Sequence, residues 1–134
     1  MRRLLPLNLD LALLVLRVVL GIIMIYHGWP KLTNLGGTIE GFSGMGIPLP
    51  ALAAIFATVA EVFGGLLILV GAFTDIAGLL FAIDMLGAIT FVHAKNGFAV
   101  SDGGVEWPLA LLAMALAIAL AGPGRYAVGR PSTR

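Results

Sequence analysis

Residues 50–93 read PALAAIFATVAEVFGGLLILVGAFTDIAGLLFAIDMLGAITFVH, 44 residues in which Glu61, Asp75 and Asp84 are the only ionisable groups before His93. As one straight helix this stretch would run roughly 66 Å at about 1.5 Å per residue, twice the thickness of a bilayer core of about 30 Å. A bend is therefore required, and Gly71-Ala72-Phe73-Thr74-Asp75 is where the chain can make it. The reading is two spanning helices, Pro50–Gly71 and Ala72–His93, joined by a tight hairpin, with Thr74 or Asp75 as the cap of the second.

Two further apolar segments flank this pair, Leu9–Trp29 with 21 residues and Trp107–Ala121 with 15. The last is short for a span of about 20 residues. Punctuation supports the boundaries: Trp29-Pro30 closes the first, Gly46-Ile47-Pro48-Leu49-Pro50 opens the second, Asn96-Gly97 follows the third and Gly122-Pro123-Gly124 ends the fourth. Met1-Arg2-Arg3 resembles the start of a signal peptide. The apolar run behind it is too long for a signal core and lacks a small-x-small cleavage site, so it is expected to remain as a helix. The expected fold class is all-α: a transmembrane four-helix bundle in a single domain over residues 1–134.

Composition agrees. The chain is 60% hydrophobic and 11% charged, against about a quarter charged in soluble domains, and its mean hydropathy is +1.05. Net charge is +1, which offers nothing for nucleic acid. The absence of cysteine excludes disulfides and thiol or iron–sulfur redox chemistry within the chain. No phosphate loop, nucleophile elbow or zinc signature is present.

Orientation follows from lysine and arginine in short loops. Arg2, Arg3, Arg125, Arg130 and Arg134 fall at one end, Lys31 and Lys95 at the other. Both termini are thus expected in the cytoplasm, with loops Pro30–Leu49 and Ala94–Glu106 and the belt residues Trp29 and Trp107 at the outer face of a plasma (inner) membrane.

Three charges fall inside the spans: Arg17, Glu61 and Asp84, each near the middle of its segment. A charge at the bilayer centre costs on the order of 3 kcal/mol on insertion scales, so these three are expected to meet inside the bundle, with one Arg17 guanidinium shared by two carboxyls. The triad sums to −1, so one carboxyl is expected to carry or share a proton. At about 100° per residue, Arg17 shares a stripe with Gly21, Met24 and Gly28; Glu61 with Ala54, Ala57, Thr58, Gly64 and Gly65; Asp84 with Ala77, Gly87 and Ala88. Small residues around each charge mark close-packed inward faces. Such a triad either fixes helix register or serves as a proton relay or headgroup anchor.

A second polar group gathers at the outer boundary: Tyr26, His27, Lys31, His93 and Lys95 as ligand-binding candidates, with Glu40, Asp102 and Glu106 from the loops. Histidines there can bond a quinone carbonyl, but their spacing matches no metal motif, so no metal site is expected. On helical faces His27 lies about 80° from Arg17 and His93 opposite Asp84, so Lys31 and Lys95 point inward more readily than the histidines.

The set Arg17-x-x-x-Gly21, Tyr26-His27-Gly28-x-x-Lys31-Leu32, Glu61 with Gly64-Gly65, Asp84, His93 and Lys95-Asn96-Gly97-Phe98 resembles the DoxX family of small membrane proteins, over about Leu13 to Ala121. The resemblance implies a four-helix membrane protein in a redox-associated setting, with Arg17, His27, Gly28, Lys31, Glu61 and His93 as shared polar positions. It implies a subunit associated with a quinone-linked redox complex, with quinone or a lipid headgroup as the ligand. Expected partners are the lipid bilayer, a redox enzyme and further copies of the chain. The alternatives are a transporter of small molecules or protons and a purely structural assembly protein. No catalysis by this chain alone is expected, though it fits a subunit of an oxidoreductase.

Overall fold

The computed structural model describes residues 2–129, and among them every regular element is helical. Helix α1 is Leu9–Thr33, α2 is Leu35–Gly44, α3 is Pro50–Val70, α4 is Thr74–Asn96 and α5 is Glu106–Ala121. Three of them, α1, α3 and α4, are long and apolar enough to cross a bilayer; α5, with 16 residues, is shorter. Together these four make an antiparallel bundle in which α1 packs chiefly on α3, and α5 on α4.

The hairpin falls where expected, with Gly71 and Phe73 both left-handed (φ 79° and 48°). The cap differs. Phe73 occupies the capping position without a side-chain bond, and Asp75 accepts only from the next backbone N–H, of Ile76, at 2.8 Å. Thr74 lies buried as the first helical residue. Asp75 still places a carboxylate in the first turn, where the helix dipole favours it.

The stretch expected as a long outer loop is mostly helical. α1 continues through Pro30 to Thr33, and Asn34 then serves both helices: its N–H donates to Pro30 O, and its Oδ1 accepts from Gly37 N at 3.1 Å. Membrane helices tolerate proline when local adjustments satisfy the freed backbone groups. α2 then folds back against α3.

Small residues make the seams. At Gly28 a Cβ would lie 2.7 Å from Glu61 Cβ, and at Gly78 one would lie 2.7 Å from Ala115 O, so helix backbones touch where nothing larger fits. The inward stripe of α1 is Arg17, Leu20, Gly21, Met24 and Gly28. The core is centred on Leu20, Met24, Ile68, Ala77, Phe81 and Ile118. Outward faces carry exposed Val15, Ile22, Ile55, Leu66, Leu79 and Leu86, an apolar surface suited to lipid rather than water.

Candidate functional site

The triad expected at mid-depth does not assemble. Arg17 is fully buried, but its guanidinium bonds backbone carbonyls: Nη1 donates to Leu69 O at 3.5 Å and Nη2 to Tyr126 O. The physical reason is register. Gly28 lies at the level of Glu61, and Gly21 faces Gly65 and Leu69, so Arg17 sits 11 residues, about 16 Å, further along α1 than the Glu61 level. That distance exceeds an arginine's reach. Arg17 meets instead the C-terminal end of α3, where the dipole and the last free carbonyls favour a cation.

Residues beyond α5 complete that end. They cross the hairpin, where Val128 N donates to Val70 O at 2.9 Å and Gly129 N to Gly71 O at 3.0 Å, while Arg125 N donates to Asp10 Oδ1 at 2.9 Å. The N-terminal end of α1 and the chain after α5 therefore lie at the same end of the bundle.

Glu61 takes its cation from the outer cluster. Lys31 Nζ lies 2.9 Å from Glu61 Oε1 and also donates to His27 O at 3.0 Å. Glu61 is buried, with its side chain 5% exposed against 25% for Lys31. Helical side chains lean toward the helix N-terminus, so Lys31, near the end of α1, reaches back down to the carboxylate. The inward orientation expected for Lys31 is therefore observed. Asp84 lines the same cavity as Glu61, and its buried Oδ2 has no hydrogen-bond partner among the described residues.

Local backbone irregularity accompanies these residues. α3 contains a π-helical turn, Val59–Phe63, centred on Glu61, and α4 another, Ile89–His93, ending on His93. Such turns recur at functional sites because they rotate side chains off the ordinary helical face. This explains why regular 100° steps misplace His93: it faces the cavity described next, while its Nδ1 bonds Gly103 O at 2.7 Å.

Lys31, Glu61, Asp84, His27 and His93 all line one cavity of about 530 Å³ between α1, α3, α4 and α5. Its other walls are apolar and aromatic, including Met24, Phe56, Phe81, Phe91 and Trp107, and Phe42, Ile47 and Pro48 cover it from α2 and the residues after it. These last three were missed in the sequence because the 30–49 segment was read as a loop; the Asn34 cap ahead of Ile39 and Phe42 is the signal that was available. His27 stands at the rim, its ring 5.5 Å from Tyr26 and 6.5 Å from Trp107.

The remaining candidates stand elsewhere. Tyr26 is 75% exposed and does not line the cavity, nor does Lys95, which is exposed beyond the second π-turn. Glu40 and Asp102 are exposed, and Glu106 accepts from Val100 N at 2.8 Å, closing the 94–106 loop. Among the described residues no cluster of three or more potential metal ligands forms. Arg130 and Arg134 lie outside the described residues.

Comparison with known proteins agrees with this architecture. The DoxX family model matches residues 12–94. The chain is 36% identical over 115 residues to "Putative oxidoreductase CatD" of Bacillus subtilis (strain 168), covering 86% of this chain and 82% of that protein. It is 35% identical to "Inner membrane protein YphA" of Escherichia coli (strain K12), covering 88% of each, and 32% identical to "Inner membrane protein YqjF" of the same strain, covering 90% and 92%. No solved structure matches the chain. With its apolar helices, the protein is a multi-pass protein of the plasma (inner) membrane, and it belongs to the DoxX family.

Proposed function

We propose that the protein is an integral membrane component associated with a quinone-linked redox complex, and that its cavity receives the head of a quinone or of a lipid. The observation that carries this reading is the cavity itself: about 530 Å³, mostly apolar, with Lys31, Glu61, Asp84, His27 and His93 converging on it. Ligand sites for ring-shaped molecules have this character, a hydrophobic slot of a few hundred Å³ with a few polar groups that orient the ligand.

The residues fit such a head. Lys31 Nζ has three N–H donors, two of them engaged by Glu61 and His27 O, which leaves one for a carbonyl. His27 at the rim supplies a ring nitrogen, and the aromatic walls sandwich a planar ring. A bound quinone supplies two-electron redox chemistry; the chain's own part is to bind, orient and hold protons beside it. The oxidoreductase in CatD's name supports a redox setting.

With the arginine-rich end in the cytoplasm, as the distribution of arginine favours, the cavity opens in the outer half of the membrane. A proton or solute path through a single chain is the weaker reading, because Leu20, Met24 and Ile68, each with no exposed surface, fill the bundle between the Glu61 and Arg17 levels.

The test is extraction of protein purified in mild detergent. Quinone recovered in about equimolar amount, together with a rise in melting temperature when a short-chain quinone is added, is the expected result. Protein that carries no quinone and does not respond to it contradicts the reading.

A further inference from the structure

The cavity wall holds one acid more than its fixed cations can balance. α1 brings Lys31 and His27 to it, α3 brings Glu61, and α4 brings Asp84 and His93; α2 and α5 bring no ionisable group among the described lining residues. Lys31 is committed to Glu61. His93 is held by Gly103 O, and His27 stands at the rim between two aromatic rings. Arg17, the cation that a mid-depth triad would supply, is bound to carbonyls at the other end of the bundle. Asp84 lines the same cavity as Glu61 and carries a buried oxygen that no N–H or O–H of the described residues reaches.

An unbalanced carboxylate in apolar surroundings is costly, and one added positive charge relieves it, whether a proton or a cationic ligand. The walls favour a ligand of that sign. Phe42, Phe56, Phe81, Phe91 and Trp107 line the cavity, and aromatic faces attract organic cations whose hydration is weak.

We propose that this cavity is a binding site for lipophilic organic cations, in which the bound cation and a proton exclude one another at the Glu61–Asp84 pair. The exchange balances simply: the cation enters, one proton leaves to solvent, and the net charge of the site is unchanged. The proposal does not rest on quinone binding.

Tetraphenylphosphonium is a suitable probe, with triphenylphosphine oxide as an uncharged analogue, and both can be titrated into the purified protein in detergent at several pH values around neutral. The expected result is saturable binding of the cation with one proton released per cation bound, read by an indicator dye in weak buffer. Its affinity should rise with pH by about tenfold per unit, the linkage for exchange of one proton. The oxide should bind more weakly and without pH dependence. In Asp84→Asn, checked for folding by its melting temperature, proton release and pH dependence should both vanish. Cation binding that releases no proton and ignores pH, or oxide binding as tight as the cation's, overturns the proposal; the wild-type titrations decide this even if the variant does not fold.

Discussion

Lys31 and Glu61 are the pair on which the site depends, because Glu61 is buried and Lys31 is its only cationic partner among the described residues. Replacing Lys31 with Met leaves a buried carboxylate uncompensated, a loss on the order of 3 kcal/mol. The double variant Lys31→Met with Glu61→Leu is expected to recover part of that loss, and a double-mutant cycle in detergent, read by melting temperature or denaturant, measures the coupling. A loss in the double variant equal to the sum of the two single-variant losses would show that the ion pair carries no such coupling. Arg17 differs in kind: its partners are carbonyls, so Arg17→Leu strands Leu69 O and Tyr126 O and should cost about 2 kcal/mol, while leaving ligand binding in the cavity unchanged. A lost cavity ligand in that variant would argue that the two ends are linked.

At the scale of elements, the hydropathy of four segments was enough to locate the four helices of the bundle, though not α2, because a bilayer imposes span length directly and Gly71 offered the bend. What could not be read was register. Residues near the middle of their segments need not share a depth when one helix overhangs its neighbour, and α1 extends past the α3–α4 hairpin, where Gly124 rests against Leu13 and Asp10. The Arg17 assignment failed for that reason. The position of His93 failed for another, since a π-turn inserts an extra residue that a 100° step does not count. The inward turn of Lys31 was legible because α1 is regular from Arg17 to Lys31, so 100° steps count correctly along it. Two predictions belong here. Gly28→Leu places a branched chain where a Cβ already falls 2.7 Å from Glu61 Cβ, and it should prevent α1 from seating, seen as loss of a monodisperse folded species in detergent. A chain ending at Gly124 removes Tyr126, Val128 and Gly129 from the hairpin and Arg17; it should melt lower than the full chain by an amount comparable to Arg17→Leu, and the two changes together should add little further.

In the whole molecule, these parts divide into two ends with separate tasks. One end is tied shut by Arg17, the hairpin carbonyls and the chain after α5; the other holds a cavity whose polar groups come from three helices and whose cover comes from α2. The tied end keeps the hairpin in register, and the open end is where ligand chemistry is possible. Gly87 offers a direct way to test the cavity, because a Cβ there meets nothing within 4 Å although the residue lines the cavity, so Gly87→Phe can fill the space without disturbing a helix seam. In a Trp29→Phe background, Trp107 in the cavity wall is the sole tryptophan and reports on occupancy. Titration of a short-chain quinone into this protein is expected to quench Trp107 saturably, and Gly87→Phe is expected to abolish the quenching while the melting temperature is retained. Equal, saturable quenching with and without the phenylalanine would contradict the assignment of this cavity as the ligand site.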